Sequence, residues 1–294
     1  MDQSAESTKI NLIDLIGVFW KQKFFILSFS LFLSFISAVI SLNLKETYLS
    51  EAILMPAESP TGINSMMDSY GGLASTMGID IGGSQGINPV DEALAILRSK
   101  AFIKRFIEER DLKVKLFSAD KWIRDSNEII YDQNIYDSKT KDWLGNFNGP
   151  NGSPSNKETY DEFLSKIIIY QDLETKFISI GMVNISPFVA QEWLSWLISD
   201  LNYTVRQRVI DETNESIIYL NEQVKKTNVK DLQDLFFMLI ADQTKTVMVA
   251  KGKEDYVLKL IDPPHLPEER YFPKRSIIVL SVFSISFLLS LFFV

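Results

Sequence analysis

The chain has no cysteine in 294 residues and one histidine, His265. The first absence excludes disulfides, thiolate nucleophiles and zinc–sulfur sites. The second excludes a histidine-based triad and any multi-histidine metal centre, and leaves His265 as an exposed loop residue among prolines. Basic charge is also scarce: 30 Lys and Arg stand against 38 Asp and Glu, a net charge of −8. That balance argues against nucleic-acid binding, which needs a basic face to neutralise phosphates. No GxxxxGK[ST] run occurs, so no P-loop ATPase or kinase domain is encoded. Carboxylate pairs stand at Glu108–Glu109, Asp231–Asp234 and Glu268–Glu269. Sequence spacing cannot supply the set separation that glycoside hydrolysis needs, and solvated faces account for all three. Asn151-Gly-Ser153 and Asn202-Tyr-Thr204 fit a glycosylation triplet, which carries little weight alone. The expectation is a protein that is not an enzyme and holds no metal or cofactor.

What the chain does have is two long apolar runs, one near each end. Residues 24–44 are uncharged over about 21 positions and residues 277–294 over about 18, each enough for a helix across a bilayer core. The first run is longer than a signal-peptide core, and Asp2, Glu6 and Asp14 precede it, so a retained anchor is expected. Lys21 and Lys23 place its N-terminal side in the cytoplasm, and residues 45–276 then lie outside. Lys274 and Arg275 precede the second run on the outer side, but a large domain translocates largely regardless of such charges.

Between the runs, residues 47–57 alternate as a strand closed by Pro56 and Pro60. Residues 59–89, centred on SYGGLASTMGIDIGGSQG, read as a glycine-rich loop. Leu73, Met77, Ile79 and Ile81 make it apolar enough to dock on a neighbour or a membrane surface. Residues 91–109 read as one amphipathic helix, 111–160 as irregular, and 167–170 with 176–185 as paired strands.

Ser186 caps and Pro187 opens a helix running to about Lys226, with a stripe through Leu194, Ile198, Leu201, Val205, Val209, Thr213, Ile217, Leu220 and Val224. Some 40 residues give a helix on the order of 60 Å long. TNVKD interrupts the pattern before a second helix through Val229, Leu232, Phe236, Leu239 and Val247, which predicts an antiparallel helical hairpin with subunits side by side to cover it. Trp193 and Trp196 read as packing residues. Ser281, Ser284, Ser286 and Ser290 offer small packing surfaces or bond to their own helix backbone. Residues 254–261 read as a last strand, and DPPHLPEERYFPKR leads stiffly into the second run. Pairing of the first and last strands would close a base above the bilayer.

The expected class is α+β, with two terminal transmembrane helices, a membrane-proximal α/β base and a long extended helical hairpin. The expected boundaries are a leader at 1–23, a first span at 24–44, an exported domain at 45–276 and a second span at 277–294. Within the domain the base takes 45–186 and 251–276 and the hairpin 187–250.

The segment LIADQTKTVMVAKGKEDYVLKLIDPPHLPEERYFPKRS at 239–276 resembles the closing segment of the Wzz-type polysaccharide chain-length determinants, or polysaccharide co-polymerases. GGLASTMGI at 71–79 is similar to their glycine-rich loop, and IDLIGVFWKQKFFIL at 13–27 to their entry into the first span. The second run has serines where many members carry glycines. The resemblance implies a two-pass bacterial inner-membrane protein, both termini cytoplasmic and the bulk periplasmic. It implies a homo-oligomeric ring that sets the length of a lipid-linked polysaccharide, O-antigen in type, with an integral-membrane polymerase as partner. Gly71, Gly72, Pro263, Pro264, Pro267, Pro273, Lys274 and Arg275 are the candidate contact residues. An adaptor for a separate tyrosine kinase in capsule or exopolysaccharide export is the alternative. A periplasmic sensor fits less well, since it expects an output module after the second span.

Overall fold

A computed structural model describes residues 22–57 and 88–292. They fall into two compact units, one running from Leu49 to Glu268, the other formed by the described residues up to Tyr48 with those from Glu269 onward. The first helix among the described residues, α1, is Lys23–Leu42, and strand β1 follows at Tyr48–Pro56. Along β1 the residues Tyr48, Ser50, Ala52 and Leu54 are buried alternately, as the two-residue period of a strand requires.

Two helices stand where the sequence predicts one, α2 at Pro89–Leu97 and α3 at Lys100–Glu109. The break is at Ser99, whose extended backbone (ψ 143°) lets its hydroxyl accept from the Phe102 amide and start a new helix. A serine cap offers the backbone this alternative to a continuous helix, and the apolar periodicity does not register it. The stretch expected to be irregular is also folded. Helix α4 (Lys113–Ser118) leads into the hairpin of β2 (Ala119–Ile123) and β3 (Glu128–Tyr131), then the short pair β4 (Tyr136–Asp137) and β5 (Asp142–Trp143). A single 3-10 turn at Pro150–Gly152 precedes helix α5, Asn156–Ser165. These elements are too short to show a period; their signal is turn chemistry, with Asn127 and Lys141 at positive φ and a capping box between Ser155 and Glu158.

Strands β6 (Ile167–Gln171) and β7 (Ile178–Asn184) pair antiparallel as expected. Helix α6 spans Pro187–Lys226, capped by Ser186, and helix α7 spans Lys230–Gly252 and packs along it. Strand β8 begins at Leu258, not at 254, and ends at Asp262. The main sheet has the order β6-β7-β1-β8, so the first and last strands lie side by side, antiparallel, with Leu54 opposite Leu260. The core lies where α2, α3, α5 and the first turns of α6 meet this sheet: Leu97, Ile103, Phe106, Phe163, Ile180, Trp193 and Leu197 are all nearly or fully buried. Phe163 packs between Phe106 (centroids 5.3 Å apart) and Trp193 (6.0 Å).

The stripe of α6 is buried through Leu194, Ile198, Leu201 and Val205 and then shifts to Ile210 and Thr213. A small second cluster, Ile210 with Val247 and Ala250, joins α6 to α7. Past Thr213 no residue of α6 is buried, so the outer hairpin leaves Ile218, Tyr219 and Phe237 exposed.

In the other unit, α1 packs along α8 (Arg275–Phe292). Ser30, Ser34, Ser37 and Ser41 line one buried face of α1, and Ser286 and Ser290 are buried on α8. Such small residues let two apolar helices approach closely. The hydroxyls of Ser284, Ser286 and Ser290 donate to carbonyls of their own helix. Among the described residues, Lys23–Leu42 is the one helix long and apolar enough to cross a membrane; Arg275–Ser290 is apolar but shorter.

Candidate functional site

The segment from Pro263 to Arg275 is held at several points by residues distant in sequence. In the larger unit, the Gln191 side-chain amide on α6 donates to the Pro264 carbonyl, and the Ser50 hydroxyl on β1 donates to the His265 carbonyl, both at 2.8 Å. Prolines lack an N–H and keep this stretch out of the sheet ladder, so these two side chains supply the donors that a strand neighbour otherwise would. Pro263 is exposed, while Pro264 and Pro267 are half-buried.

In the other unit, Thr47 and Phe272 exchange backbone hydrogen bonds in an antiparallel bridge (2.9 and 3.3 Å). The Phe272–Pro273 peptide is cis and Pro273 is buried. Arg270 and Arg275 both donate to the same carboxylate oxygen of Glu46, each at 2.8 Å. One acid thus links the ends of the chain's two terminal helices, one arginine lying before α8 and the other opening it. Lys274 is exposed beside them. Of the residues proposed from sequence, Pro273, Lys274 and Arg275 lie together here, Pro263, Pro264 and Pro267 lie on the other unit, and Gly71 and Gly72 are outside the described residues.

Sequence reasoning missed Glu46, Ser50, Gln191 and Asn202. The first three are ordinary polar residues whose partners are remote along the chain. Asn202 had a readable signal, a polar residue beside Leu201 within the apolar stripe of a long helix. It is buried, and it binds the backbone of Val257 and Leu258 through three hydrogen bonds.

Perturbed acids lie elsewhere and serve turns. Glu158 is lowered to about 2 by hydrogen bonds from Ser155 and then Asn148. Asp137 and Asp172 are held low chiefly by backbone amides of Lys139 and Glu174. Among the described residues no group of three or more His, Asp and Glu is placed to hold a metal ion. What the contacts of the 263–275 segment can do is mechanical: within each unit they hold a proline-rich stretch of backbone in place.

Residues 8–110 match the family model of the chain length determinant protein, Wzz. The match covers about a third of the chain, its N-terminal part. No curated protein matches it. Among solved structures it is similar to a fragment of WzzB, a polysaccharide co-polymerase from Salmonella Typhimurium, at 15% identity over 78% of this chain and 100% of that one, with a TM-score of 0.31. A full-length bacterial polysaccharide co-polymerase aligns at 12% identity over 95% and 94% of the two chains, with a TM-score of 0.33. A point mutant of the Shigella flexneri lipopolysaccharide O-antigen chain-length regulator WzzBSF aligns at 12% identity over 76% and 100%, with a TM-score of 0.23. The matched stretch takes in α1, β1, α2 and α3.

Proposed function

We propose that this chain is a non-enzymatic regulator of the length of a lipid-linked surface polysaccharide, O-antigen in type. It sits in a bacterial inner membrane as a two-pass protein with residues 45–276 in the periplasm, and it assembles as a ring that acts with the polysaccharide polymerase. The observation that carries the reading is the Wzz-type match over residues 8–110. Two features agree with it: α1 and α8 pack as a pair of apolar helices, and the outer hairpin leaves apolar side chains for a neighbouring subunit. The proline-rich exit, with Gly71 and Gly72, is the proposed contact with the polymerase.

The test is a deletion strain complemented with the Pro267→Ala/Pro273→Ala double variant. The expected result is a surface polysaccharide that loses its modal length distribution on a gel while the wild-type chain restores it. An unchanged ladder in the deletion strain itself would sink the proposal.

A further inference from the structure

Gln191, which holds the Pro264 carbonyl, also lines an open groove of about 640 Å³ between the β2–β3 hairpin and the first three turns of α6. Aromatic and polar side chains both line it. Phe188 is 43% exposed, Trp196 and Tyr131 are half-buried, and Phe188 lies against Trp122 with ring centroids 6.2 Å apart. Trp196 is fixed from behind by the Arg110 guanidinium, 5.3 Å from its ring, and Arg110 is itself anchored by Asp200 at 2.8 Å. Burial raises the Tyr131 phenol above its ordinary range, so it stays protonated and remains a donor at neutral pH.

The polar lining is only partly used. Asn127 accepts from the Trp122 indole through its oxygen, which leaves its amide nitrogen for another acceptor. Lys115 and Glu192 line the same groove and, among the described residues, neither side chain makes a hydrogen bond or ion pair. Rigid aromatic faces beside unspent amide, carboxylate and ammonium groups match a sugar ring. Its C–H faces pack on aromatics, and its hydroxyls both donate and accept. The groove is open along its length, which suits a chain better than an isolated small molecule.

We infer that this groove is a saccharide-binding subsite, and that Gln191 links its filling to the 263–267 strap. The inference rests on the proposed function for the identity of the natural saccharide, but its residues and geometry stand apart from it.

The experiment uses the full chain purified in detergent with three probes: maltohexaose, cellohexaose and the delipidated surface polysaccharide of the source bacterium. At about 10 mM hexasaccharide a site with a roughly millimolar Kd is filled. At least one probe should show saturation transfer from aromatic protons to its ring protons, with amide exchange slowed at 127–131 and 186–196. Phe188→Ala/Glu192→Gln, which changes only exposed side chains, should cut the transfer at least threefold. Gln191→Ala should keep sugar binding but lose the accompanying protection at His265 and Leu266. The subsite is overturned if no probe gives a signal, if the double variant binds as well as wild type, or if an extended peptide protects the groove where the sugars do not. The link is overturned if the strap stays protected in Gln191→Ala. A restored modal ladder without groove binding would remove this inference alone; groove binding with an unaffected deletion strain would remove the proposed function alone.

Discussion

Asn202, in the middle of a 40-residue helix, accepts hydrogen bonds from the Val257 and Leu258 amides, each at 3.0 Å, and donates to the Leu258 carbonyl at 2.9 Å. One side chain therefore sets the point at which the last strand joins the sheet. Replacing it with leucine leaves two amides and one carbonyl without partners in a buried site. Asn202→Leu should destabilise the larger unit by about 2–4 kcal/mol, judging from the cost of orphaned buried groups. Denaturant unfolding of the full chain in detergent measures the loss, and faster amide exchange at Leu258 locates it. An unchanged unfolding midpoint would show that the three bonds contribute nothing net.

The aromatic stack of Phe106, Phe163 and Trp193 is the centre of the core, and Phe163 is the member touching both others. It is fully buried, so Phe163→Ala removes apolar surface and leaves a cavity, an expected loss of about 3–5 kcal/mol. Phe163→Leu should recover more than half of it. Equal melting of the two variants would argue that the site collapses rather than leaving a void.

Glu158 carries the pH dependence that is easiest to isolate. Its carboxylate accepts from the Ser155 hydroxyl and amide and from Asn148, which lowers it from 4.5 to about 2. Because the folded value is depressed, its contribution is complete above about 4.5 and is lost as pH falls from there toward 2. The start of α5 should therefore loosen in acid, seen as faster exchange of its first amides. Glu158→Gln should flatten that part of the profile, and a profile identical to wild type would exclude Glu158 as its source.

The Thr47–Phe272 bridge offers a direct check of how the two terminal helices are tied. Residues that exchange both backbone bonds in an antiparallel pair have Cα atoms roughly 5.5 Å apart, within reach of a disulfide. The native chain has no cysteine to interfere. Thr47→Cys/Phe272→Cys should form an intrachain link under mild oxidation, seen as a reducible mobility shift of the monomer. Failure to link while the helices remain folded would contradict the bridge.

How much of this was legible depends on the length of the signal. The hairpin helices, the Ser186 cap and the β6–β7 pair are read from periods repeated many times or from a cap beside a long apolar stripe. The pairing of β1 with β8 follows because each strand lies next to a terminal apolar run. The break at Ser99 was hidden, since the apolar period continues across it while a single hydroxyl resets the backbone. The folded stretch between Asp111 and Tyr160 was hidden for the opposite reason. Its strands are two to five residues long, too short to alternate visibly. The candidate site was legible as prolines but not as contacts. Glu46, Ser50 and Gln191 become significant only when the fold brings carbonyls or arginines to them.

The sheet order also has a consequence for biosynthesis. Strand β1 is made among the first residues of the larger unit, yet one of its two neighbours, β8, is made among the last. For about two hundred residues of synthesis one edge of β1 has no native partner, and closing so long a loop is slow. A nascent or truncated chain ending before Leu258 would present an open strand edge of the kind that pairs with other chains. Quality control of this protein should therefore turn on whether synthesis has passed β8, whatever the state of the helices made before it.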